Sequence, residues 1–345
     1  MPGPDDREGM NTVTAPDHRT VLAAIELANR APSVHNTQPW RWLMSDDVVH
    51  LMADRRRGLP VTDPGGRDLL LSCGAALHHL RVAFAALGWR AVVHHMPNEH
   101  DPDHLAAVET RPHAPTDDDI ALLRAIPRRR TDRRRYTSWE VPAAHVDLLV
   151  RRAGQAGGLL VPVIDSAVRW QLTRAIDAAA RKQAADPDYQ LELAAWSRSS
   201  FAAEDGVLTA AGTGASIRHD DTLMRAFPGG SLNNAATGRG EPDGSELLVL
   251  ATLHDDPASV LKAGEAASAV LLAATDLGLA TCPLSQPLEV PATRAAIRDQ
   301  VLDAAAHPQL ILRVGWAPTS APPLPRSPVR RTEDTIDHPP GTHRR

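Results

Sequence analysis

The stretch APSVHNTQPWRW, residues 31–42, holds Ser33, Asn36, Gln38, two prolines and two tryptophans within twelve residues. Serine hydroxyls and side-chain amides both donate and accept hydrogen bonds. Pro32 and Pro39 restrict the backbone that carries them, which lowers the entropy cost of a fixed pose. Such a set suits the polar edges of a flat heterocycle. The plainer reading is a turn whose side chains satisfy their own backbone.

On the N-terminal side, residues 1–17 are polar, contain proline and are expected to be disordered. Residues 18–29 carry Val21, Leu22, Ile25, Leu27 and Ala28 at helical spacing. On the C-terminal side, WRWLMSDDVVHLMAD reads as a strand hairpin with SDD as its turn. A long Ala/Leu helix is expected over 68–87, stopped by Gly88. WRAVVHHMP reads as a strand, followed by proline- and histidine-rich sequence to Thr116. TDDDIALLRAI opens with a helix cap. PAAHVDLLVRRAGQAG reads as a helix, LLVPVID as a strand, and 167–195 as helical. Residues 196–244 differ: they are glycine-rich, polar and weakly periodic. SELLVLATLHD is a buried strand, ASVLKAGEAASAVLLAATDLGLAT a helix and QLILRVGWAP a last strand. A loose tail is expected from 332.

Two of these helices align without a gap. CGAALHHLRVAFAALGWRA, from Cys73, matches AGEAASAVLLAATDLGLAT, from Ala263, at an offset of 190. Gly74 meets Gly264, and Leu87-Gly88 meets Leu277-Gly278. Small residues at this spacing let helices approach closely. Two copies could pack about a pseudo-twofold axis, as in a homodimer. Chance similarity between alanine-rich helices is the alternative.

A second polar cluster occupies 128–135, where six arginines fall within eight residues around Thr131 and Asp132. Guanidinium groups bind phosphate bidentately, and a threonine hydroxyl adds a donor. A solvated charged face is the bland alternative. A nucleic-acid surface is disfavoured, because the run is isolated in a chain of net charge −5.

The 345-residue length suits two domains or one double unit. Cys73 and Cys282 stand far apart, which argues against a metal or redox pair. His78-His79 and His94-His95 match no standard metal spacing. No apolar run is read as a membrane span, and the N-terminus lacks signal-peptide regions. A cytoplasmic protein is expected. No catalytic side chain stands out.

PSVHNTQPW resembles the PSxxNxQPW string of the nitroreductase-like flavoproteins. RRTDR, residues 129–133, resembles the RRSxR string that opens a nitroreductase subunit. AASAVLLAATDLGLATCPLSQP is similar to that fold's central helix and the turn after it, and VGWAP with PRSP to its C-terminal stretch. In an ordinary subunit RRSxR precedes PSxxNxQPW; here the order is reversed. That arrangement resembles the Acg family, a doubled single-chain branch. The resemblance implies an α+β fold duplicated within one chain, with halves at 18–120 and 121–331. It implies a lid insertion at about 196–240 and one FMN site between the halves.

Carried over by position, Arg129, Thr131 and Arg133 would face the FMN phosphate, the ribityl chain and the ring edge, and Arg326 would add charge at the phosphate. Pro32, Ser33, Val34, His35, Asn36 and Gln38 would reach across from the first half. Ser285 falls where a backbone N–H points at flavin N5. Family members often carry Glu-Gly there, which Ser285-Gln286 does not match. The implied activity is FMN-dependent oxidoreduction with NAD(P)H or another reductant. The alternative is an FMN-sequestering protein with little turnover. Monomer and homodimer both remain open, and neither nucleic acid nor membrane is expected as a partner.

Overall fold

Two helices of twenty residues cross at the centre of the molecule. The computed structural model describes residues 15–45, 47–200, 202–232 and 242–337. The sequence expectations for 1–14, for the 233–240 part of the insertion and for the 338–345 part of the tail lie outside the described residues.

The chain opens with α1 (His18–Ala28), the hairpin β1 (Trp40–Ser45) and β2 (Val48–Ala53), the central helix α2 (Arg67–Ala86), then β3 (Trp89–His95) and β4 (His104–Pro112). Asp17 caps α1 by accepting the Thr20 N–H at 2.7 Å. The strand β4 lies in sequence expected to be a proline- and histidine-rich connection. It sits between β2 and β3 and buries Leu105, Ala106 and Val108. Its register against β2 shifts at Leu51/Met52, so it shows no clean alternation in the sequence.

The second part begins with α3 (Asp117–Ala125), α4 (Ala143–Gln155), β5 (Leu159–Pro162), α5 (Ser166–Ala184) and α6 (Pro187–Ala195). Thr116 and Asp119 form a capping box on α3. The helical stretch expected over 167–195 breaks in two, because Asp186 caps a new helix that starts at Pro187. Four short strands follow: β6 (Ser197–Arg198), β7 (Val207–Leu208), β8 (Ile217–His219) and β9 (Thr222–Met224). Then come β10 (Glu246–Thr252), the second central helix α7 (Pro257–Asp276), β11 (Ala280–Leu284), α8 (Gln286–Glu289), α9 (Pro291–Gln300) and β12 (His307–Gly315).

Residues 332–337, expected to begin a loose tail, are instead built into the fold. β13 (Ile336–Asp337) pairs in parallel with β1 through Trp42 and Leu43. One sheet therefore runs β13-β1-β2-β4-β3 and the other β11-β12-β10-β5. Apart from β13, both are antiparallel, which with the helices makes an α+β architecture. Trp40 and Trp42 each donate an indole N–H to Asn29 Oδ1 at 3.0 Å, and Asn29 donates to Thr335 at 2.9 Å. One buried amide thus ties α1, β1 and the returning chain.

The crossing of α2 and α7 is reciprocal at the 190-residue offset. A Cβ on Gly74 would lie 1.9 Å from the Leu261 carbonyl, and one on Gly264 would lie 2.0 Å from the Leu71 carbonyl. His78 Nδ1 meets Ser268 Oγ at 2.9 Å, again 190 positions apart. Gly88 and Gly278 end the two helices with φ of +91° and +81°. Both helices are long and apolar enough to cross a membrane, contrary to the sequence expectation. They are mostly buried against each other and the two sheets.

Candidate functional site

The string after α1 folds into an unusual backbone. His35, Asn36 and Gln38 have φ of 51°, 55° and 50°. Left-handed geometry costs non-glycine residues roughly 1–2 kcal/mol each. Hydrogen bonds from every side hold it. Ser33 Oγ accepts the Gln38 N–H at 2.9 Å, and Ser72 Oγ accepts the Val34 N–H at 3.2 Å. Asn36 donates its amide to the carbonyls of Gly206 (3.1 Å) and Pro328 (3.0 Å), and its own carbonyl accepts the Gly206 N–H at 3.2 Å. Gln38 donates to the Glu204 carbonyl at 2.8 Å and accepts the Arg330 N–H at 2.9 Å.

The arginine string leaves α3 and joins the edge of β11. Thr131 bridges Thr281, and the Asp132 N–H donates to the Thr281 carbonyl at 2.8 Å. The guanidiniums then part company. Arg134 forks onto Asp132, Arg128 pairs with Asp276, and Arg135 pairs with Asp220. Arg129, Arg130 and Arg133 have no acidic partner among the described residues. Arg130 donates to the carbonyls of Pro127 and Arg129. Arg133 donates to the Ala211 carbonyl at 3.0 Å and stacks 4.7 Å over Phe227. Arg129 is buried, and its Nε and Nη1 have no hydrogen-bond partner among the described residues. Burial, then the neighbouring Arg130 charge, bring its pKa down to about 10.

The two strings meet at two adjoining cavities. The larger, about 900 Å³ with its open mouth, has the central helices as its floor, through Leu71, Ser72, Ala75, Ala267 and Leu271. Its other walls include Pro32, Ser33, Val34 and His35, and the β11–α8 turn from Cys282 to Pro287. The smaller, about 580 Å³, is lined by Arg129, Arg130, Arg326 and Asn36. Pro32, Ser33, His35, Thr131 and Arg133 line both.

Ten of the eleven residues singled out from sequence thus line these cavities: Pro32, Ser33, Val34, His35, Asn36, Arg129, Thr131, Arg133, Ser285 and Arg326. Gln38 lines neither. It is fully buried behind the string and links it to Glu204 and Arg330. Residues between 206 and 227 supply a further wall, with Leu223, Met224, Arg225 and Phe227 on the larger cavity and Gly206, Val207, Leu208 and Ala211 on the smaller.

Arg225 and Glu289 went unnoticed in the sequence. Arg225 donates to His35 Nε2 at 3.1 Å and to Glu289 Oε1 at 2.5 Å. A guanidinium has no acceptor, so His35 Nε2 must accept, and the ring proton sits on Nδ1. Burial, then the Arg225 charge, drop the His35 pKa to about 3. Glu289 is fully buried and also accepts from Ser285 and Gln183, both at 2.7 Å. Burial alone would raise its pKa; the Arg225 charge holds it below the ordinary value. Neither residue belongs to a motif, and they stand 64 positions apart.

The arrangement is chemically polarised. One end offers unpaired guanidiniums and a threonine, the other an apolar slot edged by backbone and amide groups. No group of three His, Cys, Asp or Glu among the described residues is placed to hold a metal.

The nitroreductase family model matches residues 126–316. The chain is 42% identical over 324 residues to Rv3131 of Mycobacterium tuberculosis H37Rv, spanning 94% of this chain and 93% of that one. It is 37% identical over 322 residues to Acg of the same strain, spanning 92% and 95%. Both relatives are named putative NAD(P)H nitroreductases. A crystal structure of a nitroreductase with bound FMN from Bacteroides fragilis is similar at 15% identity with a TM-score of 0.37, covering 58% of this chain and 90% of that one. The chain belongs to the nitroreductase family. Within it, the chain groups with Acg and Rv3131, which it matches over more than nine-tenths of each length.

Proposed function

We propose that the protein is an FMN-dependent oxidoreductase of the nitroreductase type, with one flavin site between two nitroreductase-like halves, 18–120 and 121–331. The observation that carries this reading is Arg129. A buried guanidinium with two unpartnered nitrogens is costly unless an anion completes it. Arg130, Thr131 and Arg326 face the same cavity, so a phosphate fits there. The adjoining apolar slot fits a flat ring.

In this reading Arg129, Arg130, Thr131 and Arg326 hold the phosphate end. Arg133 stands between the two cavities, at the ribityl chain and ring edge. Pro32, Ser33, Val34, His35 and Asn36 form the wall from the first half, and Gln38 braces them from behind. The Ser285 hydroxyl is engaged with Glu289. Its main chain is therefore the group it offers the ring. FMN, when bound, supplies hydride chemistry, with NAD(P)H or another reductant as donor.

The single-site claim draws support from the positions that mirror the cavity floor. Moved by 190, Ala75 becomes Glu265 and Leu271 becomes Arg81. Those two form an ion pair at 2.5 Å, and His95 closes on the same carboxylate at 2.5 Å. A charged cluster fills the place where the other floor leaves space.

The segment 196–232 acts as a lid in this reading. Asp205 is held between Arg57 (2.5 Å) and Arg198 (3.0 Å), and both guanidiniums lie against Trp196. These fastenings also favour a second reading, an FMN-sequestering protein whose closed lid keeps pyridine nucleotide from the ring. Two measurements separate the outcomes. Chromophore released on denaturing the purified protein should be FMN at one per chain; none, even after reconstitution, refutes both readings. NAD(P)H consumption by the loaded protein supports turnover. Consumption only after deletion of 196–240 supports sequestration.

A further inference from the structure

The segment 196–232 places one charged side chain, Arg225, against both walls of the larger cavity. On one side is His35 of the first half, on the other Glu289 of the second. Neither group has another partner like it. Among the described residues Arg225 is the only cation bonded to Glu289; Ser285 and Gln183 are neutral donors. His35 is covered by the same segment, with Phe227 edge-on at 6.0 Å. Asp68 of α2, Tyr189 of α6 and Arg133 also face this cluster. None of them can replace Arg225 as a counter-charge to Glu289: Asp68 is acidic and already paired with Arg67, Tyr189 is neutral, and Arg133 is committed to Ala211 and Phe227.

We propose that Arg225 is a positioning residue that couples closure of the 196–232 segment to the proton content of Glu289 and His35. It rests on the reading of that segment as a lid, not on the identity of the ligand beneath it. When Arg225 withdraws, Glu289 is left as a buried carboxylate with neutral donors only, and protonation relieves it. His35 simultaneously loses a repelling guanidinium and an apolar cover, and its imidazole regains basicity. The open state therefore binds more protons than the closed one.

The sign follows from linkage. His35 carries a pKa of about 3 when covered, against an ordinary value near 6.5. Closure is fully favoured above about pH 6.5 and weakens as the pH falls below it. Glu289, held low only while Arg225 is docked, adds to the same trend. Each proton taken up raises the opening equilibrium by up to about tenfold per pH unit.

Hydrogen–deuterium exchange on the full chain, with no ligand added, reads this directly. Peptides from 202–232 should lose protection between about pH 7.5 and about pH 5, after correction for intrinsic exchange, while α7 peptides stay protected. Arg225→Gln should leave the segment open across the range, and Arg225→Lys should restore part of the pH dependence. The double variant Glu289→Gln/His35→Gln should flatten the pH profile below about pH 6.5, where Asp68, pushed up to about 7 by burial, is already mostly protonated. Unchanged protection of the wild-type segment over that range overturns the proposal. So does a pH profile that survives intact in the double variant. If α7 also loses protection in a variant, the wild-type profile and Arg225→Lys still decide. Failure to bind FMN would refute the flavin reading and leave this test standing.

Discussion

Gly74 and Gly264 face each other at the helix crossing, each Cα standing 2.8–2.9 Å from where the other's Cβ would be. No side chain fits between them. The centre of the molecule is a backbone-to-backbone contact. Gly74→Ala must push α2 from α7 and disturb the packing of both sheets. It should cost about 3 kcal/mol or more, at the upper end of overpacking effects. Denaturant unfolding of the variant tests this; a loss below about 1 kcal/mol would mean the helices slide apart freely.

Arg129 should show opposite effects on stability and on binding. Arg129→Met removes a desolvated charge whose Nε and Nη1 have no partner. The ligand-free protein should become more stable by about 1 kcal/mol. FMN affinity should fall roughly a hundredfold. Thermal unfolding without ligand and a flavin titration give the two numbers. Equal loss in both would make Arg129 an ordinary structural residue.

Asn36 connects three segments through one amide and sits at φ 55°. Asn36→Ala loses both carbonyl contacts and keeps an unfavourable backbone. A cost of about 2 kcal/mol follows, with weaker flavin retention. Asn36→Gly relieves the backbone but not the amide. Comparing the two by unfolding and by flavin release separates strain from tethering.

Glu265 is buried with Arg81 and His95 as its partners. Burial would raise its pKa, but the His95 hydrogen bond and the Arg81 charge hold it below the ordinary value. Its contribution is present above about pH 4.3 and is lost as pH falls through the lower folded value. Arg81→Leu removes one of those supports, so the acid unfolding midpoint should move to higher pH. Glu265→Ala/Arg81→Leu should recover part of the stability lost in Arg81→Leu alone. If the double variant is the less stable of the two, the pair is not compensating a buried charge.

Much of this was legible in the chain. Period and caps located both central helices, and their alignment at 190 marked the positions that cross. The two polar strings drew attention to two stretches that line the cavities because their chemistry is compressed, while Pro32, Val34, His35, Ser285 and Arg326 came only from the family resemblance. What escaped was non-local. β4 shows no clean alternation because its pairing slips at Leu51/Met52. β13 has only two residues and exists through backbone bonds to β1. His35, Arg225 and Glu289 share no period or spacing. Gln38 looked like a cavity residue because its type matched its neighbours, whereas it is buried behind the string and bonded to Glu204 and Arg330.

The returning chain has a temporal consequence. Arg330 bonds to Gln38 across 292 positions, and Ile336 completes the edge beside Trp42. During synthesis, then, the first sheet waits with an open edge until nearly everything after it has emerged from the ribosome. The first sheet cannot be finished early. A nascent chain stalled before residue 330 would expose the β1 edge and leave Gln38 without its bond from Arg330.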